Sequence, residues 1–212
     1  MKLRTLFEDG QILNKEIAKT IVDDCLPYIT AIQHDIDNFR LYRGLQLESF
    51  RRRAENVADD VYRATVRKNR VPLNTPDYLH TFIDDWANEN LGSRFRSSAI
   101  FCAAKRITVI NFGKPYVIMP IGEFKYAWSP LIEDLYSDVE EINNAATTQS
   151  EKEMTKAAVK KVLDNAQYRT DGITKMISEY PAHEIMIDCD EYYAFEENAY
   201  DNYFYPLYDL AR

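Results

Sequence analysis

The apolar residues of this chain change period partway along, and that change restricts the fold more than any other feature. As far as Gly92 they recur mostly at helical intervals, and beyond it they gather into short runs separated by Gly, Pro and Ser. Residues 12–36 read as a helical segment on Ile17, Ile21, Leu26, Ile29 and Ile32, kinked or split by Pro27. Phe39 to Leu45 is short, aromatic and interrupted by Gly44, which predicts a strand followed by a turn, and residues 48–64 read as helical. Thr75 offers an N-cap with Pro76 at the first helical position, opening a helix with Leu79, Phe82, Ile83 and Trp86 on one face and Gly92 as its stop. Two strands follow, Ala99–Ala103 and Tyr116–Pro120, with a turn over 111–115 between them. Ser129-Pro130 is expected to cap a short helix through Leu135. Ser150 and Glu153 suggest a capping box for a helix over 151–167, and helical character resumes over 173–178. Pro181 ends it, His183–Cys189 reads as a buried strand, and an acidic, tyrosine-rich tail follows from Asp190. Helices early, with strands and helices alternating later, predict the α+β class in one domain of 212 residues with an N-terminal helical segment over 1–37.

Composition narrows the partners. A net charge of −8 disfavours nonspecific nucleic-acid binding, which needs a positive field. Arg51, Arg52 and Arg53 form one basic run, with Arg63, Arg67, Lys68 and Arg70 in another at helical spacing; both read first as solvated helix faces, with a local basic patch as the alternative. Cys25, Cys102 and Cys189 are widely spaced among apolar neighbours, so they suit neither a metal site nor a disulfide framework. The charged start Met1-Lys2-Leu3-Arg4 is unlike a signal peptide, and no apolar run is long enough for a bilayer. The expectation is a soluble, cytoplasmic protein without a membrane partner.

Three motifs carry chemistry. They are Tyr42-Arg43-Gly44 at the end of an early strand, Phe95-Arg96-Ser97-Ser98 before a middle strand, and Glu184 ahead of the late strand Ile185-Met186-Ile187. In this order they resemble the R-S-E class of mono-ADP-ribosyltransferases, over roughly residues 39–195. The stretches 118–122 and 126–130 also resemble uncharacterised bacteriophage proteins of that type. The resemblance implies N-terminal helices followed by a mixed ADP-ribosyltransferase-like β core over 38–212. It implies NAD as substrate, no metal, and a protein acceptor, in a phage effector a protein of the host cytoplasm. It also implies a catalytic triad of Arg43, Ser97 and Glu184.

In that reading Arg43 clamps phosphate through its planar fork, and Gly44 lets the backbone approach the ligand. Ser97 hydrogen-bonds Glu184 and, with Ser98, lines the ribose side. Glu184 stabilises the cation that forms as the nicotinamide–ribose bond opens, and Tyr42, Phe95 or Trp128 stacks on nicotinamide. His80 and His183 stay outside the triad as surface or interface histidines.

Two positions depart from the family pattern. Arginine-modifying members carry Glu, and asparagine-modifying members Gln, two residues before the catalytic Glu. Here Ala182 stands there, in an expected target-facing loop over 177–183 with Glu179 as the nearest acid upstream. Ser97-Ser98-Ala99 lacks the last serine of a Ser-Thr-Ser pattern. An alternative without catalysis makes Tyr192–Tyr208 an acidic, aromatic docking surface. A hydrolase pairing Glu184 with Asp188 conflicts with strand geometry, which sets them about 13 Å apart.

Overall fold

The computed structural model describes residues 15–70, 75–140, 142 and 147–200. Helix α1 occupies 15–24 and α2 Leu26–Ala31, parted at Cys25. Pro27 lies in the first turn of α2, where its missing N–H is tolerated but a straight continuation of α1 is not. Strand β1 is Tyr42–Leu45 and α3 is Leu47–Arg51. The expected helix over 48–64 ends there. Its second half is a hairpin of β2, Glu55–Ala58, and β3, Val61–Thr65, turned at Asp60 with φ 57°. The β-branched and aromatic run Val61-Tyr62 and Val66 outweighs the helical spacing of the arginines around it.

Helix α4 spans Asp77–Leu91 with Pro76 at its N-cap, one residue later than expected, and Gly92 closes it in the left-handed conformation. The short helix α5, Phe95–Ser98, leads into β4, Ile100–Cys102. Helix α6, Arg106–Val109, and one 3-10 turn, Ile110–Phe112, precede β5, Lys114–Ile121, and β6, Lys125–Trp128. Ser129 does not start a helix. Its hydroxyl accepts from the backbone of Leu131 and Ile132, making a turn, and α7 begins only at Leu135 and runs to Glu140. Helix α8, Gln149–Asn165, is capped by a box formed by Thr148 and Glu151 in place of Ser150 and Glu153. Helix α9 is Ile173–Glu179, followed by β7, Ile185–Asp188, and β8, Glu191–Glu196.

The strands form two antiparallel sheets, ordered β1-β5-β8-β3-β2 and β4-β7-β6, which establishes the α+β class. A single bridge, Tyr42 to Ala103, joins β1 of one sheet to the end of β4 in the other. The supposed tail therefore supplies the middle strand of the larger sheet. Tyr192, Tyr193, Ala194 and Phe195 are all buried, because both faces of that strand are covered. Tyr200 is buried as well, so the docking surface expected over Tyr192–Tyr208 does not exist as far as residue 200, and 201–208 lie outside the described residues.

Ala18, Ile21, Tyr28, Ile29 and Ile32 of α1, α2 and the adjoining turn share one core with β1, β3, β5 and β8. A second core lies between α4, α7 and α8 and the face of β4-β7-β6 that carries Ala127 and Met186. No helix among the described residues is long and apolar enough to cross a membrane.

Candidate active site

Beyond the Tyr42–Ala103 bridge the two sheets part, and a cavity of about 290 Å³ opens between them. Its walls come from β1 (Arg43, Leu45), from β3 and the segment after it (Ala64 to Arg67, and Arg70), from the start of β4 (Ala99, Ile100) and from Tyr192 of β8. Phe50 and Arg53 contribute from α3 and the turn after it. Four arginines therefore line one small space. The Nε and Nη1 atoms of Arg43 and the Nε of Arg70 are buried in the protein without a hydrogen-bond partner. An unpaired buried donor is costly, and a charged one more so, and with four arginines in its wall the cavity suits an anion.

Arg70 also ties the cavity to the Ser97 turn. Its backbone N–H donates to the Ser97 carbonyl at 3.2 Å, and its guanidinium donates to the Ala99 carbonyl and lies 4.6 Å over the Phe101 ring. Burial, with Arg43 and Arg96 as like-charged neighbours, pulls the Arg70 guanidinium down to about 10, so it remains a cation at neutral pH.

Of the expected triad, Arg43 and Glu184 lie two strands apart near one end of β4, and Ser97 lies at the other end. Arg43 is level with Cys102 and Ile185, so strand alternation turns the Arg43 and Glu184 side chains to opposite faces. β7 pairs with β4 through Cys102–Ile185 and Ile100–Ile187. Extending that register by one residue sets Glu184 beside Ala103, which is itself bridged to Tyr42. With strands about 4.8 Å apart, the backbones of Glu184 and Tyr42 are roughly 10 Å from each other across β4. Ser97 precedes the other end of β4. Two antiparallel neighbours start at opposite ends, which separates the motifs at the two strand starts. The Ser97 hydroxyl donates to the Asp84 carboxylate and lies 3.1 Å from His80 Nε2, and Asp84 also accepts from the backbone N–H of Arg96 and Ser97. Asp84 thereby fixes the start of α5. The expected Ser97–Glu184 contact is replaced by this buried anchor. His80 is held below its usual range by burial and then raised by Asp84, a balance that leaves it neutral at pH 7.

Glu184 is half-buried, with its backbone N–H donating to the Glu133 carbonyl at 2.8 Å. Burial pushes its carboxyl up to about 7. Arg96 pulls it down, Asp134 adds to the rise, and Arg70 opposes it. Such a carboxyl changes charge near neutrality and suits a group that meets a developing cation.

Other expected contacts are corrected by packing. A Cβ on Gly44 would stand 2.2 Å from the Val109 carbonyl oxygen and 2.9 Å from Phe112 Cβ, so this glycine admits the 106–113 segment and not a ligand. Phe95 and Trp128 are wholly buried in the two cores and cannot stack on a ligand, whereas Tyr42 is half-buried beside Arg43. Ser98 donates to the Arg94 carbonyl at 2.9 Å, closing α5 locally. The loop expected over 177–183 is shorter, since α9 runs to Glu179. Ala182 sits in the remaining turn, held by His183 Nδ1–H donating to the Ser129 carbonyl and by a Lys105–Pro181 backbone bond.

Sequence reasoning missed Arg53, Arg67 and Arg70 as cavity residues. The available signal was that Arg63, Arg67, Lys68 and Arg70 have no acidic residue among them, unlike a solvated helix face built on alternating charge. Among the described residues no group of His, Cys, Asp and Glu is placed to hold a metal. The chain matches no protein-family model, no curated protein and no solved structure.

Proposed function

We propose that the chain is a mono-ADP-ribosyltransferase that uses NAD, with Arg43 and Glu184 as the working pair. The observation that carries this reading is their placement. Arg43, on the strand two removed from a carboxyl pushed up to about 7, is linked to it through Arg70, whose charge is acted on by both.

Arg43, with Arg70 beside it, holds the phosphates of NAD. As the bond from nicotinamide to ribose breaks, the electron pair leaves with nicotinamide and the ribose carbon becomes cationic. Ionised Glu184 stabilises that cation. The acceptor nucleophile then bonds to this carbon and releases a proton. Tyr42, half-buried and level with Ala103, is the aromatic ring nearest in sequence to Arg43. Ser97 and Asp84 act indirectly, by fixing the turn that holds Arg70.

The acceptor in this reading is a protein side chain, in a host protein if the chain is a phage effector. Ala182 supplies no base for a surface arginine, so the acceptor side chain is a more reactive one. The buried Tyr192, Tyr193 and Tyr200 weigh against the interaction-protein alternative.

Nicotinamide release and NAD affinity, measured side by side, test the reading. Wild type releases nicotinamide. Arg43→Lys keeps the charge but loses the fork, and binds NAD about tenfold more weakly. Absence of release by wild type in the presence of a cell lysate as acceptor source, or equal affinities of the two proteins, refutes it.

A further inference from the structure

The charge of the cavity exceeds what NAD brings. NAD carries two phosphate charges, offset in part by its cationic nicotinamide, whereas Arg43, Arg53, Arg67 and Arg70 place four positive charges on one cavity. Among the described residues these four share with Arg52, Arg96 and Arg169 the absence of an ion pair, and are the ones that line the cavity. Arg51, Arg63, Arg94 and Arg106 each make an ion pair with a carboxylate. Among the described residues no carboxylate lies within ion-pair distance of Arg43, Arg53, Arg67 or Arg70, and none lines the cavity. Glu184 is the carboxylate whose charge Arg70 feels, from outside the cavity wall. A chain of net charge −8 has acids to spare, so their absence from this wall leaves a local positive field that an anionic ligand would offset.

Size points the same way. A cavity of about 290 Å³ is at the lower end of small-molecule sites and suits a phosphate chain better than a whole dinucleotide. The donors are also layered. Arg43 and Arg70 are half-buried at the bottom, and Arg53 and Arg67 are exposed at the rim, with Arg53 Nε donating to the Ser49 carbonyl.

We propose that this cavity binds the phosphate chain of a nucleoside triphosphate, with the inner phosphates on Arg43 and Arg70 and the outer one on Arg53 and Arg67. The ligand occupies the same Arg43 that the transferase reading assigns to NAD, so a triphosphate competes with NAD. The inference rests on the cavity and not on NAD cleavage.

Calorimetry with inorganic tripolyphosphate, pyrophosphate, sulfate and ATP is the test, on wild type, Arg67→Ala and Arg70→Gln. Wild type binds tripolyphosphate and ATP at least about tenfold more tightly than pyrophosphate, with sulfate weakest, since each added phosphate meets a further guanidinium. Arg67 is exposed and makes no contact the fold needs, so Arg67→Ala keeps the wild-type melting temperature and loses most of the preference for the longer chain. Arg70→Gln weakens every phosphate ligand. Equal affinity for tripolyphosphate and pyrophosphate overturns the proposal, as does an unchanged preference in Arg67→Ala or binding of ATP without binding of tripolyphosphate. Phosphate-chain selectivity without nicotinamide release leaves the proposal standing and removes the transferase reading. Nicotinamide release with no chain-length preference does the reverse.

Discussion

Replacing Glu184 by Gln should make the protein more stable and less active, and the two effects should depend on pH in a linked way. In the folded protein the Glu184 carboxyl titrates at about 7, against about 4.5 for the same group in the open chain. Between those values the folded state holds a proton that the unfolded state has lost. Stability therefore falls as pH rises through this window. A displacement of this size corresponds to roughly 3 kcal/mol, and because the side chain keeps some contact with solvent the expected cost is about 2–3 kcal/mol at pH 8. Glutamine has nearly the same shape and no charge to bury. Urea denaturation of both proteins should show equal stability near pH 4.5 and a variant more stable by that amount at pH 8. Nicotinamide release by wild type should increase with pH through about 7 as the carboxylate forms, and the variant should lose about 10²-fold or more in rate. A stability difference that does not change with pH would falsify the buried placement of this carboxyl. Undiminished release by the variant would exclude it from catalysis whatever the stability data show.

Gly44→Ala puts a methyl group against the Val109 carbonyl, a backbone atom that cannot turn aside, so a loss of about 3 kcal/mol and a fall in Tm of roughly 6–12 °C are expected by calorimetric melting. A melting temperature within a degree of wild type contradicts the close crossing of β1 and the 106–113 segment. Asp84→Ala removes the acceptor of two backbone N–H groups and the Ser97 hydroxyl, and should cost about 2–4 kcal/mol while weakening NAD binding through a displaced Arg70. Asp84→Asn retains an acceptor and should recover part of both, and identical behaviour of the two variants argues against an anchoring role. Ala182→Glu restores a carboxylate two residues before Glu184 and should increase ADP-ribosylation of agmatine, read by mass spectrometry. Efficient modification of agmatine by wild type contradicts the account of this turn.

The sequence made the helical elements and the buried late strand legible because each is a local pattern. Ile17 to Ile32, Leu79 to Trp86 and Ile185 to Ile187 state their periods within a few residues, and Gly92 marks a helix end by backbone chemistry alone. Pairing was not legible. Tyr192 to Phe195 has no alternation because both its faces are buried, and such a strand resembles an apolar or aromatic tail when its neighbours are unknown. The same applies to the site. Arg43 and Glu184 each stand in a recognisable local setting, but whether Ser97 or Ala103 faces Glu184 is a matter of register, which lies in the partner strand and not in the motif. Arg67 and Arg70 were misassigned for a related reason. Basic residues spaced three or four apart fit a helix face, and only the hairpin pairing of β2 and β3 turns that segment toward the cavity.

The placement of β8 constrains how the chain can be made. β3 and β5 do not touch along their length until β8 lies between them, and β8 begins only at Glu191. During synthesis both strands wait with one open edge each, β3 from Thr65 and β5 from Ile121, until the chain reaches Glu191. Such edges are templates for pairing with other chains. Contacts that join the two ends of a sequence also slow folding. Expression by a slow ribosome or release of a fragment ending before Glu191 should therefore yield aggregates with strand-rich spectra, and supplying residues 185–200 in trans as a peptide should reduce them.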